Sequence, residues 1–255
     1  MKITVLGCGA AGGVPMISAG WGRCDPANPK NRRRRPSILV EEGGATLLVD
    51  SGPDLREQLL DAGIRHLDAV LYTHGHADHV HGIDDLREVN RAMQAPIDVY
   101  GTAETLADIR ARFGYVFEPL DIDTMPIFKP WLIPHEVSGP FQTGGVAVTP
   151  FDQDHGYCRS TGFRIGAMAY STDVFDLPED SFAALADLDL WIVGCLLDEP
   201  HPTHAHVDKV LAWVERIKPK RTLITHMSPR LDYASLAARL PKGVEPAFDG
   251  QVITL

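Results

Sequence analysis

The sequence predicts an α+β fold, with β-sheets at the centre and helices outside. Three observations predict it. Short apolar runs of β-forming residues recur along the whole chain, and in the first and middle parts they neighbour one another as hairpins do. Elsewhere such runs alternate with segments of helical periodicity, the mix expected of sheets with helices packed on them. Several of the runs end at a His or an Asp, which places polar chemistry at strand ends.

Taken in order, strands are expected over residues 3–6, 38–41, 46–50, 69–72 and 97–100, then 146–151, 161–165, 167–171, 188–193, 222–225 and 252–255. Helices are expected over 54–61, 84–93, 103–112, 181–186, 207–217 and 233–240. Gly43-Gly44 reads as the turn between two strands. Residues 113–134, rich in Pro and aromatics, read as a loop or a lid over the site. No internal repeat or linker divides the chain, so one domain spanning 1–255 is expected.

Apolar residues make up 44% and charged residues 23%, enough to bury a core. No apolar stretch is long enough to cross a bilayer, and the opening MKITVLGCG reads as a strand rather than a signal peptide. No membrane partner and a cytoplasmic location are therefore expected. Cys8, Cys24, Cys158 and Cys195 are widely spaced, which favours reduced thiols over disulfides. The net charge of -10 opposes binding of a long nucleic acid. Arg32, Arg33, Arg34 and Arg35 run against that average; they read either as a solvated loop or as an anion-attracting rim.

The segment Thr73-His74-Gly75-His76-Ala77-Asp78-His79-Val80-His81-Gly82 follows an apolar strand. Imidazole and carboxylate donors suit Zn²⁺, Mn²⁺ or Fe²⁺. Chance alone yields H-x-H-x-D-H roughly 2 × 10⁻³ times per chain of this histidine content, so clustered surface histidines are the weaker reading. Four ligands within six residues cannot all wrap around one ion in a compact turn, whereas two neighbouring ions remove the difficulty. Further donors follow later strands: His155 after 146–151, Asp173 after 167–171 and His226 after 222–225. Asp50 reads equally as a turn residue or as an acceptor for a ligand histidine.

With these motifs the chain resembles the metallo-β-lactamase superfamily. Its signature is the H-x-H-x-D-H run with Gly82 three residues on, followed in order by His155, Asp173 and His226. The resemblance implies an αβ/βα four-layer sandwich, two mixed β-sheets with helices on the outer faces. It implies that His74, His76 and His155 bind one metal, that Asp78, His79 and His226 bind a second, and that Asp173 bridges them. The cofactors implied are two divalent ions, Zn or Mn, and a homodimer is common in the family. Gly7-Cys8-Gly9, Arg35-Pro36-Ser37 and Pro202-Thr203-His204 bring the chain nearer the cyclic phosphodiesterase branch associated with carbon–phosphorus lyase. By that match His204 faces the scissile phosphate. The branch's Cys-rich structural zinc site is reduced to Cys24, and Pro229 stands where that site has a His, so no structural zinc is expected. The basic, Gly-rich arm of tRNA endonucleases is missing, which favours a small substrate.

The reaction this implies is hydrolysis of a small phosphodiester, a cyclic nucleotide or ribosyl cyclic phosphate. Two metals would screen the anionic oxygens and acidify a bridging water for attack. His204 is the candidate general acid, and Asp78 is counted with it in the catalytic group. Arg35 and Ser37 are candidate phosphate contacts, and Tyr157 a stacking surface for the substrate. Two other readings stay open: a metallo-hydrolase of an ester, thioester or lactam, and a non-catalytic accessory of cofactor biosynthesis such as that of pyrroloquinoline quinone.

Overall fold

The computed structural model describes residues 1–255. Its strands are β1 (Lys2–Gly7), β2 (Ser37–Glu42), β3 (Ala45–Val49), β4 (Ala69–Leu71), β5 (Ile97–Gly101), β6 (Leu132–Glu136), β7 (Phe141–Thr143), β8 (Val146–Asp154), β9 (Arg159–Ile165), β10 (Met168–Ser171), β11 (Leu190–Gly194), β12 (Arg221–Thr225), β13 (Val244–Pro246) and β14 (Val252–Thr254). The helices are α1 (Leu55–Ala62), α2 (Ala77–Val80), α3 (Leu86–Met93), α4 (Ala103–Phe113), α5 (Val207–Ile217) and α6 (Tyr233–Ala237).

Two mixed sheets form, in the orders β14-β1-β2-β3-β4-β5-β6 and β13-β12-β11-β10-β9-β8-β7. Each joins three antiparallel pairings to three parallel ones, the change falling at β3 in the first sheet and at β10 in the second. Side chains alternate between faces along a strand. Ile38, Val40, Leu47 and Val49 therefore meet Val148, Phe163 and Ile165 of the other sheet in the main core. Their neighbours Leu39 and Leu48 join Val70 and Val99 on the opposite face, against Leu55 and Leu59 of α1, Val89 of α3 and Ile109 of α4. On the second sheet Val207, Val210 and Trp213 of α5 join the core, Trp213 lying 6.3 Å from Trp191. The result is the expected four-layer sandwich.

Several local expectations need correction. The helix expected at 181–186 is a 3-10 turn, Glu179–Leu185. β6 begins inside the 113–134 segment expected to be loop; its Pro134 is tolerated because β6 is an edge strand. β7, β13 and α2 are too short to carry a period. Residues 113–134 are not a lid. Arg91 of α3 donates to Ile127 O at 2.7 Å, and Lys129 Nζ donates to Tyr115 O at 2.8 Å, which folds the segment back over the first sheet's helices.

The Gly-rich loop after β1 is anchored at both ends of the chain. Gly7 is required there, since a Cβ would stand 2.0 Å from Arg35 O. Asp249, just before β14, accepts the backbone N–H of Cys8 at 3.0 Å and of Arg34 at 2.7 Å. Burial pushes its carboxyl up to about 6 against those donors. The folded chain thus keeps this proton to higher pH than the unfolded chain does. The associated stability is full below about pH 4 and is lost by about pH 6, a change of about 3 kcal/mol. Denaturant titrations at pH 4 and pH 7 should show wild type losing that amount relative to Asp249→Asn. Parallel pH dependence in the two proteins would contradict the assignment.

Candidate metal centre

The donor residues sit just beyond the C-terminal ends of strands, the edge at which open sheets of this kind bind ligands. Asp50 follows β3, His74 follows β4, Asp173 follows β10 and His226 follows β12. Three of them, Asp50 (φ 63°), Asp173 (φ 46°) and His226 (φ 56°), adopt the left-handed backbone region. Non-glycine residues there cost on the order of 1 kcal/mol or more each, and such positions concentrate at functional sites. His76 caps the four-residue α2, which carries Asp78 and His79. Gly52 and Gly82 let this loop pack tightly: a Cβ on Gly52 would lie 2.2 Å from Asp78 O, and one on Gly82 2.1 Å from Gly52 O.

Two groups of donors result, His74/His76/His155/Asp173 and Asp78/His79/Asp173/His226, with ligand atoms in each within 4.8 Å of one another. Asp173 belongs to both, and its two oxygens face different groups. Oδ2 lies 3.4 Å from His155 Nε2 and 3.8 Å from His74 Nε2. Oδ1 lies 3.0 Å from His226 Nε2 and 3.2 Å from His79 Nε2. The dense run thus divides, His74 and His76 to one group, Asp78 and His79 to the other. Within the protein the buried atoms His74 Nε2, His79 Nε2, His226 Nε2 and Asp78 Oδ2 have no hydrogen-bond partner. Such unmet acceptors are costly in a folded interior. Lone pairs converging from imidazoles and carboxylates fit two divalent cations.

Outer contacts aim the rings. His79 Nδ1 donates to Asp50 Oδ2 at 2.7 Å, which leaves Nε2 as the free donor atom. Asp50 is fully buried and also accepts the N–H and hydroxyl of Thr73, at 2.9 and 2.8 Å. Thr73 Oγ1 in turn lies 3.0 Å from His74 Nδ1, so one carboxylate orients a histidine in each group. His155 Nδ1 donates to Thr203 O at 2.8 Å. Sequence reasoning missed Thr73 and Thr203; the signal available was Thr directly before His, in Thr73-His74 and Thr203-His204.

Burial holds His74 well below the usual imidazole range, and His155 at about 4. Burial acts on His226 in the same direction, but the Asp173 carboxylate overrides it and raises the ring to about 9. His79 is raised likewise, against burial, by Asp78 and Asp173. His74 and His155 therefore offer neutral lone pairs at neutral pH, while loading of the group with His79 and His226 competes with protons.

A cavity of about 650 Å³ opens onto both groups and is lined by His76, Asp78, His155, Asp173, His226 and His204, among others. His204 Nε2 lies 3.3 Å from Asp173 Oδ2, and its Nδ1 lies 2.8 Å from Thr203 Oγ1. Tyr157 stands on the rim, 90% exposed. Arg35 and Ser37 are not brought to the cavity. Ser37 is buried and its hydroxyl bonds Val49 O and Asp50 O, at 2.9 and 3.0 Å; Arg35 pairs with Asp54 at 3.0 Å. Nor does the arginine run form an anion-attracting rim. Arg32 stacks over Trp21, Arg34 pairs with Asp61, and buried Arg33 donates to Ser228 O at 3.3 Å. Cys24 donates to Leu231 O at 3.4 Å beside it.

Comparisons with known proteins agree on the family and the fold. A sequence profile described as the β-lactamase superfamily domain matches residues 45–227. A crystal structure of a diphosphatase from the PhnP family superposes with a TM-score of 0.90 at 34% identity, covering 99% of this chain and 96% of that one. An octanoyltransferase of Porphyromonas gingivalis is 32% identical over 98% of this chain, but over 51% of its own length. A ribonuclease Z of a Bradyrhizobium strain is 35% identical over 49% of this chain and 44% of its own. The chain thus spans about half the length of the curated relatives it matches.

Asp50 gives the sharpest test of how the rings are held. Asp50→Asn should weaken divalent-ion binding by about 10–100-fold, most at the group containing His79, in a chelator-competition titration. Unchanged affinity would contradict its orienting role.

Proposed function

We propose that this chain, which belongs to the metallo-β-lactamase superfamily of hydrolases, cleaves a phosphodiester bond in a small substrate. The observation that carries this reading is the division of the Asp173 carboxylate between two donor groups, with His204 on the same cavity wall. His74, His76 and His155 would hold one divalent ion, Asp78, His79 and His226 a second, with Asp173 shared; Zn and Mn both suit the set. The pair would supply Lewis acidity toward an anionic phosphoryl group.

The chain's own residues supply the rest. Asp173 and Asp78 hold negative charge inside a buried ring of histidines, the charge that would retain the two ions. His204 Nδ1 is held 2.8 Å from Thr203 Oγ1, and its Nε2 lies 3.3 Å from Asp173 Oδ2 on the cavity wall. That position on the cavity wall would let His204 pass a proton to the departing oxygen. The cavity volume suits a small molecule.

Similarity to the diphosphatase supports a second reading, hydrolysis of a diphosphate bond, at the same phosphoryl centre. Similarity to the ribonuclease Z supports the diester. The octanoyltransferase is about twice as long, so its name carries no argument about this half.

The test uses metal-loaded protein on diesters with matched arms and different leaving groups. His204→Ala should slow release of an alkoxide by about 10²–10⁴-fold, and of para-nitrophenolate, which needs no proton, far less. Chelation should abolish both reactions. Turnover of thioesters or lactams with none of any phosphodiester or diphosphate would overturn the proposal.

A further inference from the structure

Beyond the donor groups, the cavity has two properties that together select a substrate. Its outer wall is carbon. Ala10, Ala11, Met16, Ala19, Leu197 and Pro229 line it, and the fully exposed Ile17 extends the same loop into solvent. Exposed Tyr157 also lines the cavity. An apolar surface kept open beside a polar centre marks a place where an apolar group is buried.

The second property is charge. Arg230 is the one Lys or Arg side chain on the wall, and it is already paired with Glu199 at 2.7 Å. The arginines of the 32–35 run are engaged elsewhere: Arg32 over the Trp21 ring, Arg33 with Ser228 O, Arg34 with Asp61 and Arg35 with Asp54. A substrate whose organic arm ended in a second phosphate or a carboxylate would set that charge beside alkyl groups and meet no unpaired counter-charge on this wall. The scissile phosphoryl group is the only anion for which the cavity provides.

We infer that the site takes a phosphodiester whose organic arm is apolar and uncharged, an alkyl or aryl group that lies along the 10–19 loop against Leu197 and Pro229. This rests on the phosphodiester reading above and narrows it, turning it away from a phosphoribosyl arm. The arm contributes binding through its buried area, while the donor groups hold the phosphoryl end.

The experiment is a series of para-nitrophenyl alkyl phosphates, methyl, butyl and octyl, on the metal-loaded protein, with one member whose arm ends in a second phosphate. The leaving group is constant, so only the arm varies. kcat/KM should rise about threefold to fourfold for each methylene buried, and the phosphate-ended arm should rank below methyl. Inhibition constants of methyl- and octylphosphonate should follow the same order. Met16→Asp should flatten the chain-length slope. Ala19→Lys, at an exposed position, should raise the relative rate on the phosphate-ended arm about tenfold. A flat series, or preference for the phosphate-ended arm, overturns this inference and leaves the phosphodiester reading standing. Failure of every diester in the series while thioesters are cleaved overturns both.

Discussion

A single carboxylate that faces two groups of histidines at once is the constraint on which the rest of the structure depends. Asp173 is fully buried and cannot be shared unless both groups approach it from opposite sides. One side comes from the loop after β4 and the turn after β8, the other from α2 and the turn after β12. Two sheets packed face to face bring those strand ends together. A fold with one sheet would leave half of the donors on the far side of a helix layer. The unpaired ring nitrogens are the sign that the assembly is arranged around charge that the chain itself does not supply.

The sheets share more than a contact. Both run through three antiparallel and then three parallel pairings, so β3 and β10 occupy equivalent places. Each is followed by an aspartate in the left-handed region, Asp50 in one sheet and Asp173 in the other. Asp173 faces the donor groups directly, and Asp50 reaches them through Thr73 and His79. The two halves thus provide the same device at two depths, one oxygen pair for the centre and one for its supports. No repeat is visible in the residues, because strand pairing depends on the apolar pattern and not on residue identity.

Much of this was legible in the chain. Dense His and Asp residues after an apolar run marked the centre, and the later strand-end donors fell in place because strands with buried faces are readable from their apolar runs. What was not legible had a physical cause in each case. β7 and β13 are three residues long and too short to show alternation. Pro134 concealed an edge strand, and the aromatic stretch before it gave no sign that it packs on α3 rather than over the site. Ser37 and Arg35 carry the right chemistry for phosphate, but their partners, Val49 O and Asp54, are fixed by tertiary contacts that residue types do not reveal. Asp50 could be read either as a turn or as an acceptor, and its geometry shows both.

The proposed function follows from placing a buried, charge-rich centre in a cavity whose wall also carries apolar side chains. On the proposed reading, ions held by the donor groups would take the phosphoryl oxygens, His204 would stand by the departing atom, and the wall would select what the phosphorus carries. The most direct measurement of this account is anomalous X-ray scattering from crystals grown with Zn²⁺ or Mn²⁺. The account predicts two peaks flanking the Asp173 carboxylate, roughly 3.5–4 Å apart as in other two-metal sites. A single peak, or metal bound away from Asp173, would contradict it.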